Sequence, residues 1–329
     1  MALTTVPSAL VKKAWAKSTW QAAMNNIFFS KFTGTDAGSI IQVLTDLSKD
    51  SSGDTITVPL LMKLKGDGVT GDSMLEGSEE ALVYRDFSVT IDQLRNGVRL
   101  KGRMEEKKTQ LKLRTDAKAA LTTWLTEKID GRIFSALTAS PTASRIIYAG
   151  SNKAENTIAA ADKFSPSVIG KAKRLATTDS NAKIRPVMVD GGKFYVMVID
   201  PWQARDLKSD PNWINAQEHA AERGLKNPIF TGALGLYDGV VIHENDQISR
   251  TATGATSTKV GHALFLGAQA CAFASGSDAR WDEDTFDYGN QQGFSVGRIM
   301  GIKKTQFAFD GTNATDFGCI QVMTSSVDD

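Results

Sequence analysis

The chain has 329 residues, which is enough for two domains or for one large domain with insertions. Its hydrophobic content of 41% and charged content of 23% are ordinary for a soluble globular protein. The net charge of +1 argues against a dedicated nucleic-acid-binding protein, because such proteins usually carry a basic patch and a high isoelectric point. No apolar run is long enough for a membrane span, and the N-terminus lacks the charged-then-apolar order of a signal peptide. We therefore expect a protein made and kept in a cytoplasm.

The N-terminal segment 9–29 has apolar residues at three- and four-residue spacings, which predicts a helix. Its polar face is thin, so we expect it to dock either on another chain or on the main body. Trp15 and Trp20 are large apolar side chains of the kind that anchor protein interfaces. They are the candidate contact residues of this segment.

Two strand-like segments follow, at 54–64 and 82–100, and a glycine-rich, acidic tip at 65–80 separates them. In the second segment apolar residues alternate with polar ones from Phe87 to Asp92, which is the two-residue period of a half-buried strand. The tip is too polar to form a core, so we expect it to be exposed and mobile in an isolated subunit. Together these features predict a projecting two-stranded arm.

At Arg103 the period changes from two to about 3.6 residues and stays helical to about Leu137, which predicts one helix roughly 50 Å long. One apolar stripe is expected to be buried along it: Ala117, Leu121, Trp124, Leu125, Ile129, Ile133 and Leu137. A projecting arm followed by a long helix is poorly suited to an enzyme. It is well suited to a subunit that grips its neighbours.

From Ser165 onward the sequence predicts a mixed α/β region. Three dipeptides place a capping residue before a proline and predict helix starts: Ser165-Pro166, Asp200-Pro201 and Asp210-Pro211. Strands are predicted over 184–200, with a turn at 190–192, and over 238–244, 262–274 and much of 293–322.

Three short motifs resemble enzyme signatures, and each lacks the structural context that its chemistry requires. Gly293 to Gly297 matches G-x-S-x-G, but strand-like sequence continues through Ser295, whereas a nucleophile elbow needs a strand-to-helix turn and a later histidine. The esterase-like block at 71–73 lies in the tip that we expect to be mobile, and the chain lacks the C-terminal histidine that such an enzyme needs, since none follows His262. Residues 66–71 spell G-x-G-x-x-G without opening a helix, so they cannot present helix N–H groups to a pyrophosphate.

Candidate metal ligands are few. The histidines His219, His243 and His262 have no ligand-type spacing, so we expect structural histidines. The two cysteines, Cys271 and Cys319, lie in apolar strand-like sequence and are predicted to be buried free thiols, with a disulfide or a metal pair as the alternative. The acidic segment 278–287 is interpreted as a solvated loop, with a divalent-ion or inter-subunit salt-bridge site as the alternative. We therefore predict no catalytic, cofactor-binding or metal-binding residue and no cofactor.

The order of these parts resembles that of the tailed-bacteriophage major capsid proteins, which have the Johnson (HK-ninety-seven type) fold. Within that class, the chain resembles the family typified by podophage N-four. The residues that carry the resemblance are 53–60 (GDTITVPL), 94–109 (LRNGVRLKGRMEEKKT), 287–290 (DYGN), 293–297 (GFSVG), 301–304 (GIKK) and Phe307. The resemblance covers nearly the whole chain.

The resemblance implies an α+β protein with an N-terminal arm, an extended β-hairpin loop, a long spine helix, a peripheral domain sheet and a mixed α/β axial domain. The expected boundaries are 1–50 for the arm, 51–84 for the hairpin loop, 85–150 and 288–329 for the peripheral domain with spine helix 103–138, and 151–287 for the axial domain.

The function implied by the resemblance is that of a major capsid protein, not an enzyme, that self-assembles into the icosahedral shell around the phage DNA. The expected partners are copies of itself in hexamers and pentamers, a separate scaffolding protein, a portal and, as an option left open, a cement protein. Packaged double-stranded DNA would be contacted non-specifically, and no membrane is involved. The expected location is the virion, after synthesis in the host bacterial cytoplasm. The alternatives are an encapsulin-type nanocompartment shell protein and an enzyme of unrecognised type that uses residues 165–275.

Two further expectations concern the hairpin loop and the N-terminal segment. Some capsid relatives join a loop lysine to an asparagine; Lys63 and Lys65 lie in the right region, but no partner or catalytic acid can be identified, so we predict no cross-link. Residues 1–50 are too few for a fused scaffolding segment, which implies the separate scaffolding protein.

The strands of the loop are expected to lie over a neighbouring subunit. There they would add edge hydrogen bonds and bury the apolar side chains of Ile56, Val58, Leu60 and Met62.

Overall fold

A computed structural model describes residues 27–47, 53–64, 66–108, 113–179, 183–189, 191–218 and 232–328. Most of the predicted N-terminal helix, with Trp15 and Trp20, lies outside the described residues, as do Lys65 and His219. The described residues form two large mixed sheets, two small two-stranded ribbons and five α-helices.

The helices are α1 (Arg103–Lys108), α2 (Leu113–Thr138), α3 (Pro166–Thr178), α4 (Pro201–Lys208) and α5 (Pro211–Glu218), with short 3-10 helices at Phe28–Phe32, Ala143–Arg145, Glu155–Thr157 and Ala255–Ser257. The strands are β1 (Thr33–Gly34), β2 (Ile41–Leu44), β3 (Thr55–Leu61), β4 (Tyr84–Thr90), β5 (Asp92–Arg99), β6 (Ile146–Tyr148), β7 (Val187–Val189), β8 (Gly192–Ile199), β9 (Gly235–Tyr237), β10 (Val240–Glu244), β11 (Arg250–Thr251), β12 (Val260–Leu266), β13 (Cys271–Ser275), β14 (Arg280–Phe286), β15 (Gln291–Lys304), β16 (Gln306–Phe307), β17 (Thr315–Asp316) and β18 (Cys319–Ser325).

The first sheet is built around the long strand β15 and has the order β1-β2-β13-β15-β14, with β5 also paired to β15. Strands β5, β13 and β14 are all antiparallel to β15. Side chains on one face of β15, including Phe294, Val296 and Met300, are buried in the core cluster that also contains the apolar stripe of α2. This sheet and the spine helix therefore share one hydrophobic core.

The second sheet has the order β6-β18-β12-β8-β10-β9, with β7 on β8 and β11 on β12. It is buried on both faces, because successive side chains of a strand point to opposite sides. Val196 and Val198 belong to the core shared with α2, whereas Met197 and Ile199 pack with α3 and α4 in a second cluster. The near-continuous apolar sequence of β8 follows from this double burial.

The capping dipeptides begin helices where the sequence predicts them. Proline is the first residue of α3, α4 and α5, where its missing N–H costs no hydrogen bond. Asp200 accepts a hydrogen bond from Gln203 N at 2.6 Å, and the Gln203 side chain reaches back to Asp200 N, which completes a capping box. Ser165 is the N-cap of α3, but its hydroxyl contacts Ser167 Oγ at 2.9 Å instead of capping the helix.

The described end of the predicted N-terminal helix packs on its own chain. Residues 28–32 form a 3-10 helix rather than an α-helix, and Phe29 is fully buried against Phe134 of the spine helix. Asp130 of the spine helix accepts hydrogen bonds from Phe28 N at 2.8 Å and Phe29 N at 3.4 Å. Strand β2 then pairs with β13, so this part of the predicted arm belongs to the body of the subunit.

Three sequence predictions were wrong in detail. The return strand 82–100 is two strands: β4 pairs with β3, Ile91 N donates to Asp54 O at 2.8 Å where β3 begins, and β5 continues on β15. The predicted strand 262–274 is also two strands in different sheets. The chain turns between β12 and β13 at Gly267, where a side chain would collide with Arg185 O, and at Gln269, whose φ is 57°.

The third error concerns the acidic segment 278–287, which forms strand β14 instead of a solvated loop. Trp281 explains the difference, because its ring is buried beside Phe294 in the core of the first sheet. Its indole N–H donates to Glu283 Oε1 at 2.8 Å, and Arg114 of α2 pairs with the same carboxylate at 2.8 Å. Glu283 therefore forms a salt bridge within the subunit, and Asp282 forms a second one with Arg280 at 2.8 Å.

The two sheets do not follow the predicted domain boundaries at two places. Strand β18 pairs with β12 and β6 of the second sheet, although 288–329 was assigned to the peripheral domain. Strands β13 and β14 pair with β15 of the first sheet, although 151–287 was assigned to the axial domain. The boundaries themselves stay a prediction.

Candidate assembly surfaces

The β3–β4 hairpin is anchored to the body at its base. Ile56, Phe87 and Val89 are buried in a small cluster with Phe307 and residues of β2 and β13. Lys303 Nζ donates to Ser88 O at 2.8 Å and lies 5.0 Å from the Phe87 ring centroid. Because Ile56 is only 5% exposed, the prediction that it is buried on a neighbouring subunit was wrong; it packs in its own chain.

The distal half of the hairpin carries most of the large apolar side chains that the described residues expose. We call these the tip patch: Leu61, Leu64, Met74, Leu75, Leu82, Val83 and Tyr84. Met74 is 73% exposed and Leu82 is 62% exposed. Soluble proteins rarely leave so many neighbouring apolar side chains in water, and a concentration of this kind marks an interaction surface.

Sequence reasoning missed the tip patch, because the glycines and acids of 65–80 made the whole segment seem polar. The signal was present in the apolar pairs Met74-Leu75 and Leu82-Val83, which lie within and directly after this polar segment. An anchored base and an uncovered apolar end are the geometry of a segment that docks on another molecule.

Ser295 lies in the middle of strand β15 and not on a strand-to-helix turn. It is paired with Gly97 on one side and Asp282 on the other, so the predicted strand is confirmed. The glycine at 293 has a packing role instead. A Cβ there would lie 2.8 Å from Cε2 of Phe286, whose ring lies under the Arg99 guanidinium at 4.3 Å.

The two described histidines are buried and hydrogen-bonded, as predicted for structural residues. His243 Nδ1 lies 3.1 Å from Lys31 Nζ. Gln321 Nε2 donates to His262 Nδ1 at 2.8 Å, and His262 Nε2 faces Glu155 Oε1 at 3.2 Å. Burial lowers the pKa of His262, although the Glu155 carboxylate opposes that shift.

The glycine motif at 66–71 leads into irregular chain and not into a helix.

Both cysteines are buried free thiols, which confirms the prediction. Burial raises the pKa of each to about 12, so the reactive thiolate is scarce at neutral pH. Within the described ranges no cluster of three or more histidine, cysteine or acidic side chains could hold a metal ion. No helix in that part of the chain is long and apolar enough to cross a membrane.

The comparison with known proteins first defines a class. The fold is similar to the capsid of Ralstonia phage GP4, with a TM-score of 0.81 and 31% identity over 92% of each chain. It is also similar to the capsid of cyanophage Pam1, with a TM-score of 0.79 and 23% identity over 92% of each chain. The predicted Johnson (HK-ninety-seven type) capsid fold is thereby confirmed.

The sequence comparison then defines the family. Residues 3–328 match the phage capsid protein family. The chain is 34% identical to the major capsid protein of Pseudomonas phage KPP25 in an alignment that covers 96% of this chain and 95% of the relative. The chain therefore belongs to the phage capsid protein family.

Proposed function

We propose that this chain is a phage major capsid protein whose copies form an icosahedral shell of hexamers and pentamers around double-stranded DNA. The observation that carries the proposal is the tip patch on a hairpin whose base is fixed to the body. Many identical subunits close a shell through repeated contacts, and several weak contacts per subunit multiply into a strong assembly. The chain would act as a structural protein and not as an enzyme.

The other partners follow from the same role. A separate scaffolding protein would guide assembly, a portal would occupy one vertex, and a cement protein is an optional addition. The near-neutral net charge suits a wall that encloses DNA without gripping it, because each neutralised phosphate adds salt-sensitive affinity. Synthesis would take place in the host bacterial cytoplasm and the mature location would be the virion.

Electron microscopy of the purified full chain, combined with size-exclusion chromatography, tests this function. Closed shells, filled with DNA when recovered from phage, are the expected result. Shells that contain a cargo enzyme would instead indicate a nanocompartment, and small soluble oligomers under all conditions would contradict shell assembly.

The tip patch itself is tested by the triple variant Leu75→Ser, Leu82→Ser and Val83→Ser. It should melt at the wild-type temperature as a monomer but form far fewer shells, because these side chains contribute nothing to the subunit's own core. Met188→Ser, which changes an exposed apolar residue of β7, is the matched control. Normal shell yield from the triple variant would remove the tip patch from the assembly interface.

A further inference from the structure

The single Asn–Gly pair of the chain, Asn96-Gly97, lies in the middle of β5. In the described part of the chain β5 pairs only with β15, so no strand lies along its other edge there. Residues along an antiparallel strand alternate between hydrogen-bonded and non-hydrogen-bonded positions. Leu100 N donates to Gln292 O at 2.8 Å, so the even-numbered residues of β5 hold the hydrogen-bonded positions. The N–H of Gly97 therefore points to the free edge.

Side chains of the preceding residues, and not a second strand, accept the N–H groups on this edge. Gly97 N donates to Asn96 Oδ1 at 2.9 Å, and Gln93 N donates to Asp92 Oδ1 at 2.7 Å in the same way. The carboxamide of Asn96 is thus held beside the backbone nitrogen of the next residue. Because glycine has no Cβ, no side chain shields that nitrogen. The two groups that a cyclisation would join are therefore neighbours.

Glycine at position 97 also has a packing role in the first sheet. A Cβ there would lie 3.1 Å from Phe294 O, so a larger residue would push the two backbones apart. Asn96 is half-buried, on the same face of β5 as Leu94 and Val98, which pack on the core shared with the spine helix. The close packing of β5 on β15 thus requires glycine directly after this asparagine.

We propose that Asn96 is a site of spontaneous modification, at which the carboxamide is converted to aspartate or isoaspartate. The backbone nitrogen of Gly97 attacks Cγ of Asn96, and the new N–Cγ bond closes a succinimide ring. The Cγ–Nδ2 bond breaks, and Nδ2 leaves as ammonia with the proton of the attacking N–H. Water then opens the ring at either of its carbonyl groups. Water is consumed, ammonia is released, and no atom is oxidised or reduced.

Isoaspartate would disturb β5 more than aspartate would. It routes the main chain through Cβ and Cγ, which adds one carbon atom to the backbone between Asn96 and Gly97. Because the register of a strand depends on a strict two-residue period, residues on one side of this point would lose their alignment with β15. Both products also place a carboxylate on the half-buried face, where an unpaired charge is costly. The connection between the hairpin and the spine helix should therefore loosen as the protein ages.

Incubation of the folded full chain at mildly alkaline pH tests the site, since the attack requires loss of the N–H proton. Peptide mass spectrometry measures the loss of the carboxamide, and protein isoaspartyl methyltransferase labels the isoaspartate. Asn152 is the matched control, because it is also half-buried but is followed by Lys153, and its Nδ2 donates to Ala149 O at 3.0 Å. Asn96 should convert about tenfold or more faster, the factor that a barrier lower by about 1.4 kcal/mol produces.

The variant Asn96→Gln tests the structural consequence. It keeps a carboxamide, but its longer side chain would have to close a larger ring, so the reaction should stop. Aged wild type should melt about 2 °C or more below fresh wild type, whereas aged and fresh Asn96→Gln should melt alike. Circular dichroism of the fresh variant shows whether it folds.

The comparison of Asn96 with Asn152 needs no variant, so the site can be judged even if Asn96→Gln folds poorly. Conversion at Asn96 that is no faster than at Asn152, or that occurs only in urea-unfolded protein, would overturn the proposed site. Equal melting temperatures of fresh and fully converted wild type would overturn the loosening of β5. Neither result depends on shell assembly, because both measurements are made on the folded chain itself.

Discussion

At the scale of single residues, Lys304 of β15 carries a buried charge. Its hydrogen bonds connect β15 to β17 and to the residues that follow the spine helix. Its ammonium donates to Asp316 Oδ2 at 3.0 Å and to Ala139 O at 2.8 Å, just beyond the last turn of the spine helix. Asp316 in turn accepts from Gln306 Nε2 at 2.7 Å and from Thr142 N at 3.1 Å. A cation at a helix C-terminus also complements the helix dipole.

We predict that Lys304→Met destabilises the monomer by about 3–5 kcal/mol, because it leaves the Asp316 carboxylate buried without its cation. Urea unfolding of the monomer measures the loss. Lys153→Met is the control, since that lysine is exposed, and its substitution should cost about 1 kcal/mol or less. Equal losses in the two variants would show that the buried pair has no special role.

His262 is a second residue whose environment predicts a measurable effect. Gln321, Thr251 and Glu155 surround its ring, and Asp200 lies close enough to add a favourable charge interaction. Burial nevertheless keeps its pKa below the ordinary 6.5. The unfolded chain therefore binds a proton more readily than the folded chain as the pH falls below 6.5, and folding stability declines in that window.

We predict that wild-type monomer loses stability as the pH is lowered from 7 to 5, and that His262→Gln flattens this part of the curve. Urea unfolding at each pH measures the free energy of unfolding of both proteins. Glu155 does not contribute in that window. Desolvation would raise its pKa, but hydrogen bonds from Thr253 and Thr251 and the nearby His262 hold that pKa below 4.5, so its stabilisation is lost only at lower pH. If the curves of stability against pH ran parallel for wild type and His262→Gln, the loss of stability could not be assigned to His262.

At the scale of elements, the hairpin base depends on a close approach between β4 and β15. A Cβ on Gly301 would lie 2.3 Å from Thr90 O, so the backbones can approach only because this residue is glycine. Gly131, inside the spine helix, has open space around the same position.

These two glycines give opposite predictions for the same substitution. Gly301→Ala should destabilise the monomer and increase protease cleavage at the hairpin base, because β4 must move away from β15. Gly131→Ala should stabilise the monomer by about 0.5–1 kcal/mol, since glycine is a poor helix former and nothing obstructs the new methyl group. Thermal melts measure both, and a stabilised Gly301→Ala variant would contradict the packing described for the base.

The sequence predicted element types well where a local pattern decides them. The structure confirms three such patterns: the helix starts with proline as the first residue, the alternation of buried and exposed residues around Phe87, and the apolar stripe of the spine helix. Trp124 is the exception on that stripe, because it is only partly buried, and its truncation should cost less than the roughly 3–5 kcal/mol typical of a buried aromatic.

The strand predictions were wrong where the pairing partner of a strand, and not its local sequence, determines where the strand begins and ends. Residues 84–99 are strand-like throughout, and only the pairing of one half with β3 and the other with β15 divides them. The acidic strand β14 was missed because Trp281 is its one fully buried anchor. The tip patch was not predicted, because the composition of this segment is polar and the exposure of its apolar side chains depends on where the rest of the chain lies.

At the scale of the whole molecule, the hairpin should change its accessibility on assembly. We predict that a protease specific for glutamate cleaves after Glu76, Glu79 or Glu80 rapidly in the free subunit and slowly in the shell. These residues are exposed in the isolated chain, and a neighbouring copy would cover them. Mass spectrometry of the fragments measures both rates. Equal rates in the two states would argue against a covered tip.

Cryo-electron microscopy of wild-type shells tests the central claim most directly, because it shows the chain and its neighbours together. We predict an icosahedral shell in which residues 66–83 cross from each subunit onto the next. The side chains of Leu75 and Leu82, both exposed in the isolated chain, would then be buried at that contact. Shells in which the hairpin tip contacts only its own subunit or solvent would contradict it, as would purified protein that forms no shell.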